Sequence, residues 1–230
     1  IEMNIQTIDR KLIWHPFTQE KTSLTPIPIQ RGEGAYLYDE GGKAYLDLIS
    51  SWWVNLHGHG NKYIAQKIYE QASKLEHVIF AGFTHEPAVR YSQMLSEYLP
   101  DKLTKFFYSD NGSTSVECAL KMSYQYWYNN GKPERKLFLS FDGGYHGDTF
   151  GAMSVGRKSG FYKPFSEHMF DVVTIPYPST WDGDSDVEKK EDEALAFLNA
   201  QLELYGSNIS ALILEPSIQG ASGMRVCRKE

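Results

Sequence analysis

From residue 105 the chain alternates short apolar segments with glycine loops and helix-period segments, and this alternation restricts the fold more than any other feature. Lys105-Phe106-Phe107-Tyr108 reads as a short strand and Ser109-Asp110-Asn111-Gly112-Ser113 as a loop. Residues 114–129 then carry Val116, Ala119, Leu120, Tyr124 and Trp127 at helical spacing. Thr114 and Glu117 stand at capping-box spacing where this helix starts, and Gly131 and Pro133 supply a stop. Residues 136–141, 171–175 and 211–214 read as further strands, the last two separated by a helix over 187–204. Short apolar strands alternating with helices predict an α/β fold whose mostly parallel sheet is covered on both sides.

The part before residue 105 has a different texture. Residues 1–35 show little periodicity. The Pro-broken run Thr25-Pro26-Ile27-Pro28-Ile29 favours extended backbone, so the stretch reads as an arm or edge strand and not a helix. Ala35-Tyr36-Leu37-Tyr38 and Ala44-Tyr45-Leu46-Asp47-Leu48 flank the turn residues Asp39-Glu40-Gly41-Gly42, a hairpin signal. Helices are expected near 62–77 and near 86–98, the second opened by Glu86-Pro87. No internal repeat is visible, and the acidic tract 182–193 reads as a solvated loop and helix start.

Composition sets outer limits. The 230 residues are 41% hydrophobic, with 23 Lys+Arg against 29 Asp+Glu, a net charge of −6. That balance is wrong for a nucleic-acid partner. Two cysteines, Cys118 and Cys227, cannot build a disulfide scaffold and fit a reducing compartment, so a cytoplasmic location is expected. No run approaches the ~18 apolar residues of a membrane span, and Ile1-Glu2-Met3-Asn4 does not open a signal peptide. The absent initiator Met implies a processed or cut chain.

Four motifs carry chemistry. Ser109-Asp110-Asn111-Gly112-Ser113-Thr114 lies between strand and helix, where free N–H groups and the helix dipole suit a phosphate. Gly112 would allow close backbone approach, and Ser113 and Thr114 would add hydroxyls. By itself the loop reads more readily as an ordinary capped turn, and it matches neither mononucleotide nor dinucleotide fingerprints. Asp142-Gly143-Gly144-Tyr145-His146-Gly147-Asp148 follows a strand's carboxyl end, where open α/β sheets bind ligands, and the Tyr145 ring is placed to stack on a flat one. His146-x-Asp148 and His57-x-His59 are also metal-fragment spacings, but neither has a third ligand, so no metal is expected. Glu215-Pro216, ending a strand, precedes Gln219-Gly220-Ala221-Ser222-Gly223-Met224. Finally, Trp52-Trp53 follows Ser50-Ser51. On an extended strand the two rings would point to opposite sides, one into a core and one toward a site.

Together these segments resemble the class III, fold-type I aminotransferases that use pyridoxal 5'-phosphate. The resemblance runs from Trp14-His15-Pro16-Phe17-Thr18 to Met224, and includes Glu117, Lys121-Met122 and residues 144–155. Trp-His-Pro and Ser-Ser-Trp-Trp resemble the branch serving biotin biosynthesis. There the implied reaction moves an amino group from S-adenosylmethionine to 8-amino-7-oxononanoate, giving 7,8-diaminononanoate. Ring faces among the site candidates suit a sulfonium cation. Donors such as ornithine, acetylornithine or 4-aminobutyrate, and a non-catalytic product, are the alternatives. The resemblance implies that Gly112 and Ser113 hold the cofactor phosphate, Tyr145 stacks on its ring, and His146 and Glu215 lie beside it. Trp52, Tyr145, Phe17 and Asp148 would meet substrate. Phe17 stands where the relatives often have tyrosine, so the hydroxyl that helps them recognise substrate is missing. The resemblance also implies a homodimer with sites at its interface. Residues 1–60 would be the arm and hairpin of a small domain, and 61–230 the first part of the large cofactor domain. The Schiff-base lysine and the aspartate that pairs with the pyridine nitrogen are expected beyond Glu230, leaving no catalytic residue in this chain. Lys121 is expected to be solvent-facing or structural.

Overall fold

The computed structural model describes residues 4–156 and 162–229, which form two compact units, Ile1–Leu103 and Thr104–Glu230.

In the first unit, helix α1 (Ile5–Leu12) departs from the extended arm expected there. Its signals are local: Asn4 caps it by accepting from the Thr7 N–H, and Ile5, Ile8 and Leu12 share one face. The Pro-broken run nevertheless ends in an edge strand, as expected. β1 (Ile29–Glu33) pairs antiparallel with β2 (Tyr36–Asp39), which pairs with β3 (Ala44–Leu46) through the predicted turn. After β3 the chain makes a four-residue helical turn, α2 (Ser50–Trp53), followed by α3 (Lys62–Lys74) and α4 (Glu86–Ser96) close to their expected places. None of the described side chains of this unit is fully buried, and Trp14, Leu24, Leu48 and Tyr98 are each more than 80% exposed.

The second unit holds the core. Helix α5 (Gly112–Asn129) is followed by β4 (Leu137–Phe141), α6 (Phe150–Val155), a 3₁₀ turn (Lys163–His168), β5 (Val172–Ile175), α7 (Val187–Tyr205) and β6 (Ile209–Ile213). The three strands make a parallel sheet in the order β5-β4-β6, with Phe138 opposite Val172 on one side and Ala211 on the other. Residues 105–108 are not a strand. They have the apolar character of one, but no ladder forms on them among the described residues.

β4 is central and therefore the most buried of the three strands. Phe138 packs with Leu120 of α5 and Val155 of α6, and Tyr124 meets its ring edge-on with centroids 5.1 Å apart. Ser123 and Trp127 fasten the far end of α5 to β6: the serine hydroxyl bonds that of Ser210 at 2.7 Å, and the indole N–H donates to the Ser210 carbonyl at 2.8 Å. Helix α5 is thus fixed in height relative to the carboxyl ends of β4 and β6. A short hairpin, β7 (Ile218–Gln219) with β8 (Arg225–Val226), follows β6. Among the described residues no helix is long and apolar enough to cross a membrane.

Candidate active site

The site of the second unit is assembled from the start of α5 and the loops after β4 and β6. Asn111 caps α5 by accepting from the Thr114 N–H at 3.0 Å, while the Thr114 hydroxyl accepts from the Asn111 N–H at 3.1 Å. The capping box is therefore Asn111 with Thr114, not Thr114 with Glu117, since the reciprocal pair needs an extended cap residue and Asn111 is that residue. The one proton of the Thr114 hydroxyl is also taken within the cap, by Ser109 Oγ at 3.1 Å or the Asn111 carbonyl at 3.0 Å, so it is not aimed outward as a phosphate ligand. The N–H groups of Gly112 and Ser113 make no hydrogen bond among the described residues, and a Cβ added to Gly112 would meet nothing within 4 Å. An open helix start with free donors fits a phosphate.

Next to it lies the loop after β4. The Asp148 N–H donates to Ser113 Oγ at 3.1 Å. Gly147, at φ +125°, permits this approach: a Cβ there would lie 2.1 Å from Ser113 Oγ. The Tyr145 hydroxyl donates to the Asp148 carboxylate at 2.8 Å, and Tyr162 donates to its other oxygen at 3.2 Å. Burial, and then the bond to Asp148 and its charge, push the Tyr145 hydroxyl up to about 12, so the phenol keeps its proton at neutral pH. The same burial and charge bring Tyr162 to about 12.

Glu215 spans two loops beyond the carboxyl ends of neighbouring strands β4 and β6. One oxygen accepts from the Tyr145 N–H at 2.9 Å and the other from the Gly220 N–H at 3.0 Å. The β7–β8 hairpin braces the Tyr145 loop from beneath. Gln219, fully buried, donates to the Asp142 carbonyl at 2.9 Å, Ser222 donates to the Gly143 carbonyl, and Arg225 faces the Asp142 carboxylate at 3.6 Å. His146 is half-buried, with Nε2 lacking a hydrogen-bond partner among the described residues, and an added Gly144 Cβ would come within 3.1 Å of that atom. Desolvation lowers its pKa against a smaller opposing pull from Glu215, which favours the neutral ring. Lys121 lies exposed on α5.

The first unit presents the aromatic candidates. Trp52 and Trp53 are not on an extended strand. Ser50, Ser51, Trp52 and Trp53 have φ of +48°, +47°, +68° and +66°, a left-handed turn that leaves both indoles more than half exposed. Such backbone costs roughly 1–2 kcal/mol per residue and persists only where side chains hold it. Here the Asp47 carboxylate accepts from the Ser51 hydroxyl at 2.7 Å and bonds His59 Nε2 at 2.8 Å. The Phe17 ring, its own backbone at φ +55°, meets Trp52 with centroids 5.3 Å apart. His57 and His59 join no group that could hold a metal, and no such group occurs among the described residues.

Sequence reasoning missed the work done by Glu117, Tyr162 and Asp47. Spacing casts Glu117 as half of a capping box, which hides its bonds to residues 149–152, and Tyr162 belongs to no motif.

A family model described as aminotransferase class-III matches residues 17–230. The chain belongs to the class-III aminotransferase family. Among curated family members, the adenosylmethionine-8-amino-7-oxononanoate aminotransferase of Synechococcus elongatus is 51% identical over 218 residues, covering 95% of this chain and 51% of that protein. The enzyme of the same description from Staphylococcus aureus is 40% identical over 95% of this chain and 50% of its own length. The crystal structure of the Methanocaldococcus jannaschii adenosylmethionine-8-amino-7-oxononanoate aminotransferase superposes with a TM-score of 0.86 at 38% identity, covering 96% of this chain and 48% of that one. The omega transaminase of Pseudomonas jessenii in complex with PMP gives a TM-score of 0.89 at 27% identity over 99% and 51%. The chain thus spans about half the length of the relatives it matches. These aminotransferase structures bear out the fold-type I, α/β reading of the sequence.

Proposed function

We propose that this chain forms the phosphate-binding and ring-facing part of a pyridoxal 5'-phosphate-dependent transaminase. In that reading the amino group of S-adenosylmethionine passes to the ketone of 8-amino-7-oxononanoate, yielding 7,8-diaminononanoate in biotin biosynthesis. The observation that carries it is the linkage of Ser113, Asp148, Tyr145 and Glu215, which joins an open helix start to an aromatic face at the carboxyl ends of parallel strands. The names of the similar proteins supply the substrates. When bound, pyridoxal phosphate supplies an electron sink conjugated to the carbon that loses or gains the amino group.

The chain's own residues hold and orient. Gly112 and Ser113 offer backbone N–H groups to a phosphate, and Ser113 Oγ, already accepting from Asp148, has its proton free to donate. Asp148 fixes the Tyr145 hydroxyl and so the tilt of the ring, while Glu215 fixes the backbone of the same residue. Trp52 and Phe17, in the first unit, would meet substrate with ring faces that attract a sulfonium. The same reading includes a homodimer in the cytoplasm, residues 1–60 as part of a small domain, and a Schiff-base lysine that is none of the lysines of residues 1–230.

The test uses the native protein containing this chain, pyridoxal phosphate, and S-adenosylmethionine labelled with ¹⁵N on its amino group. Label in 7,8-diaminononanoate supports the reading. Transfer from ornithine, acetylornithine or 4-aminobutyrate in its place, with Trp52→Ala leaving donor preference unchanged, would sink it.

A further inference from the structure

Glu117, which spacing alone pairs with Thr114 in a cap, instead gathers three hydrogen bonds on one carboxylate oxygen. Glu117 Oε1 accepts from the Thr149 hydroxyl at 2.6 Å, the Gly151 N–H at 2.7 Å and the Ala152 N–H at 3.1 Å. These are the opening groups of α6, whose residues Gly151–Val155 are all buried. Thr149 sits at the N-cap position but makes no capping bond with its own side chain. The buried helix start is therefore satisfied from α5, since unpaired N–H groups there would be costly. Gly151 admits the carboxylate: a Cβ at that position would lie 2.4 Å from Glu117 Oε2.

Glu117 is four residues after Ser113, so both side chains leave the same face of α5. Ser113 grips the Asp148 N–H and Glu117 grips residues 149–152. Two successive turns of one helix thus hold a continuous backbone segment at both ends. The segment carries Asp148, which orients Tyr145 and Tyr162. The carboxylate itself is taken up by α6 and not by the Gly112–Ser113 donors.

We propose that Glu117 is a positioning residue. It sets the register of the Tyr145–Asp148 loop against the phosphate-binding start of α5, and so sets cofactor affinity without touching the cofactor. The proposal rests on the transaminase reading for the identity of that cofactor.

The experiment compares the native protein with Glu117→Gln and Glu117→Ala. It reads pyridoxal phosphate affinity by titration, and amide hydrogen exchange of residues 148–152 in cofactor-free protein. The glutamine carbonyl can accept the same bonds, so Glu117→Gln should bind within about 3-fold of wild type, whereas Glu117→Ala should weaken binding by about 10-fold or more and speed exchange at 148–152. Wild-type affinity and exchange in Glu117→Ala would overturn the proposal, as would a glutamine variant as impaired as the alanine one. If the wild-type protein does not take up pyridoxal phosphate at all, the transaminase reading fails while the exchange comparison still decides the role of Glu117. Should Glu117→Ala not fold, Thr149→Val removes one of the three donors and should weaken binding about 3- to 5-fold, the effect of one ordinary hydrogen bond. No change there overturns the proposal.

Discussion

Gly147→Ala would place a Cβ nearer its neighbours than alanine would at any other described glycine. The residue has φ +125°, where an L side chain is strained, and a Cβ would meet Ser113 Oγ at 2.1 Å, Cβ at 2.7 Å and Cα at 2.8 Å. Rotating the serine relieves only the first of these, so backbone must move. A sparsely populated backbone region costs about 1–3 kcal/mol. Losing the Asp148 N–H bond to Ser113 adds about 1 kcal/mol. The sum, roughly 2–4 kcal/mol, is set against the control Gly112→Ala, whose added Cβ meets nothing within 4 Å. In urea denaturation of the native protein without cofactor, Gly147→Ala should unfold at clearly lower urea and Gly112→Ala near wild type. Pyridoxal phosphate titration should then show both variants weakened, the second through loss of room for the phosphate. Equal urea midpoints for Gly147→Ala and wild type would refute the claim that glycine is required there.

Asp47 is held down to about 2 from 3.8, first by its bonds to Ser51 and then by His59. A carboxyl with a lowered folded-state pKa stabilises the fold above its ordinary value, and that contribution disappears as pH falls from about 4 toward 2. Asp47→Asn should therefore be less stable than wild type at about pH 5, with the gap narrowing by about pH 3. A gap that stays constant in urea midpoints across that interval would contradict the assignment. Phe17→Tyr restores a hydroxyl beside Trp52. One new hydrogen bond is worth about 1 kcal/mol, so the KM for the amino substrate should fall about 5-fold with kcat little changed. An unchanged KM would show that the position acts by shape alone.

Much of the second unit was legible because its signals are local. Leu120 and Tyr124 repeat at helical spacing, and the strands at β4, β5 and β6 are short apolar runs that need only find each other. The same reasoning failed at residues 105–108, where strand-like residues have no ladder to join, and at the α5 cap, where Asn111 outranks the pair chosen by spacing. It failed most clearly at Ser50–Trp53. Propensity gives no reason for four consecutive non-glycine residues to turn left-handed, and the restraint comes from Asp47, which accepts from Ser51 and is itself held by His59, 12 residues away.

What the sequence alone determined was the parallel α/β frame, the glycine loops at the ends of its strands, and the family those loops resemble. Each depends on periodicity or on backbone freedom, which neighbours in the chain specify. Only the tertiary structure decided which partner each polar group takes. Glu117 left the cap of its own helix to serve α6, Glu215 joined the loops after β4 and β6, and Asp148 gathered Tyr145 and Tyr162. Those choices depend on distances between segments 14 to 70 residues apart or set by single side chains, and a linear pattern does not contain them.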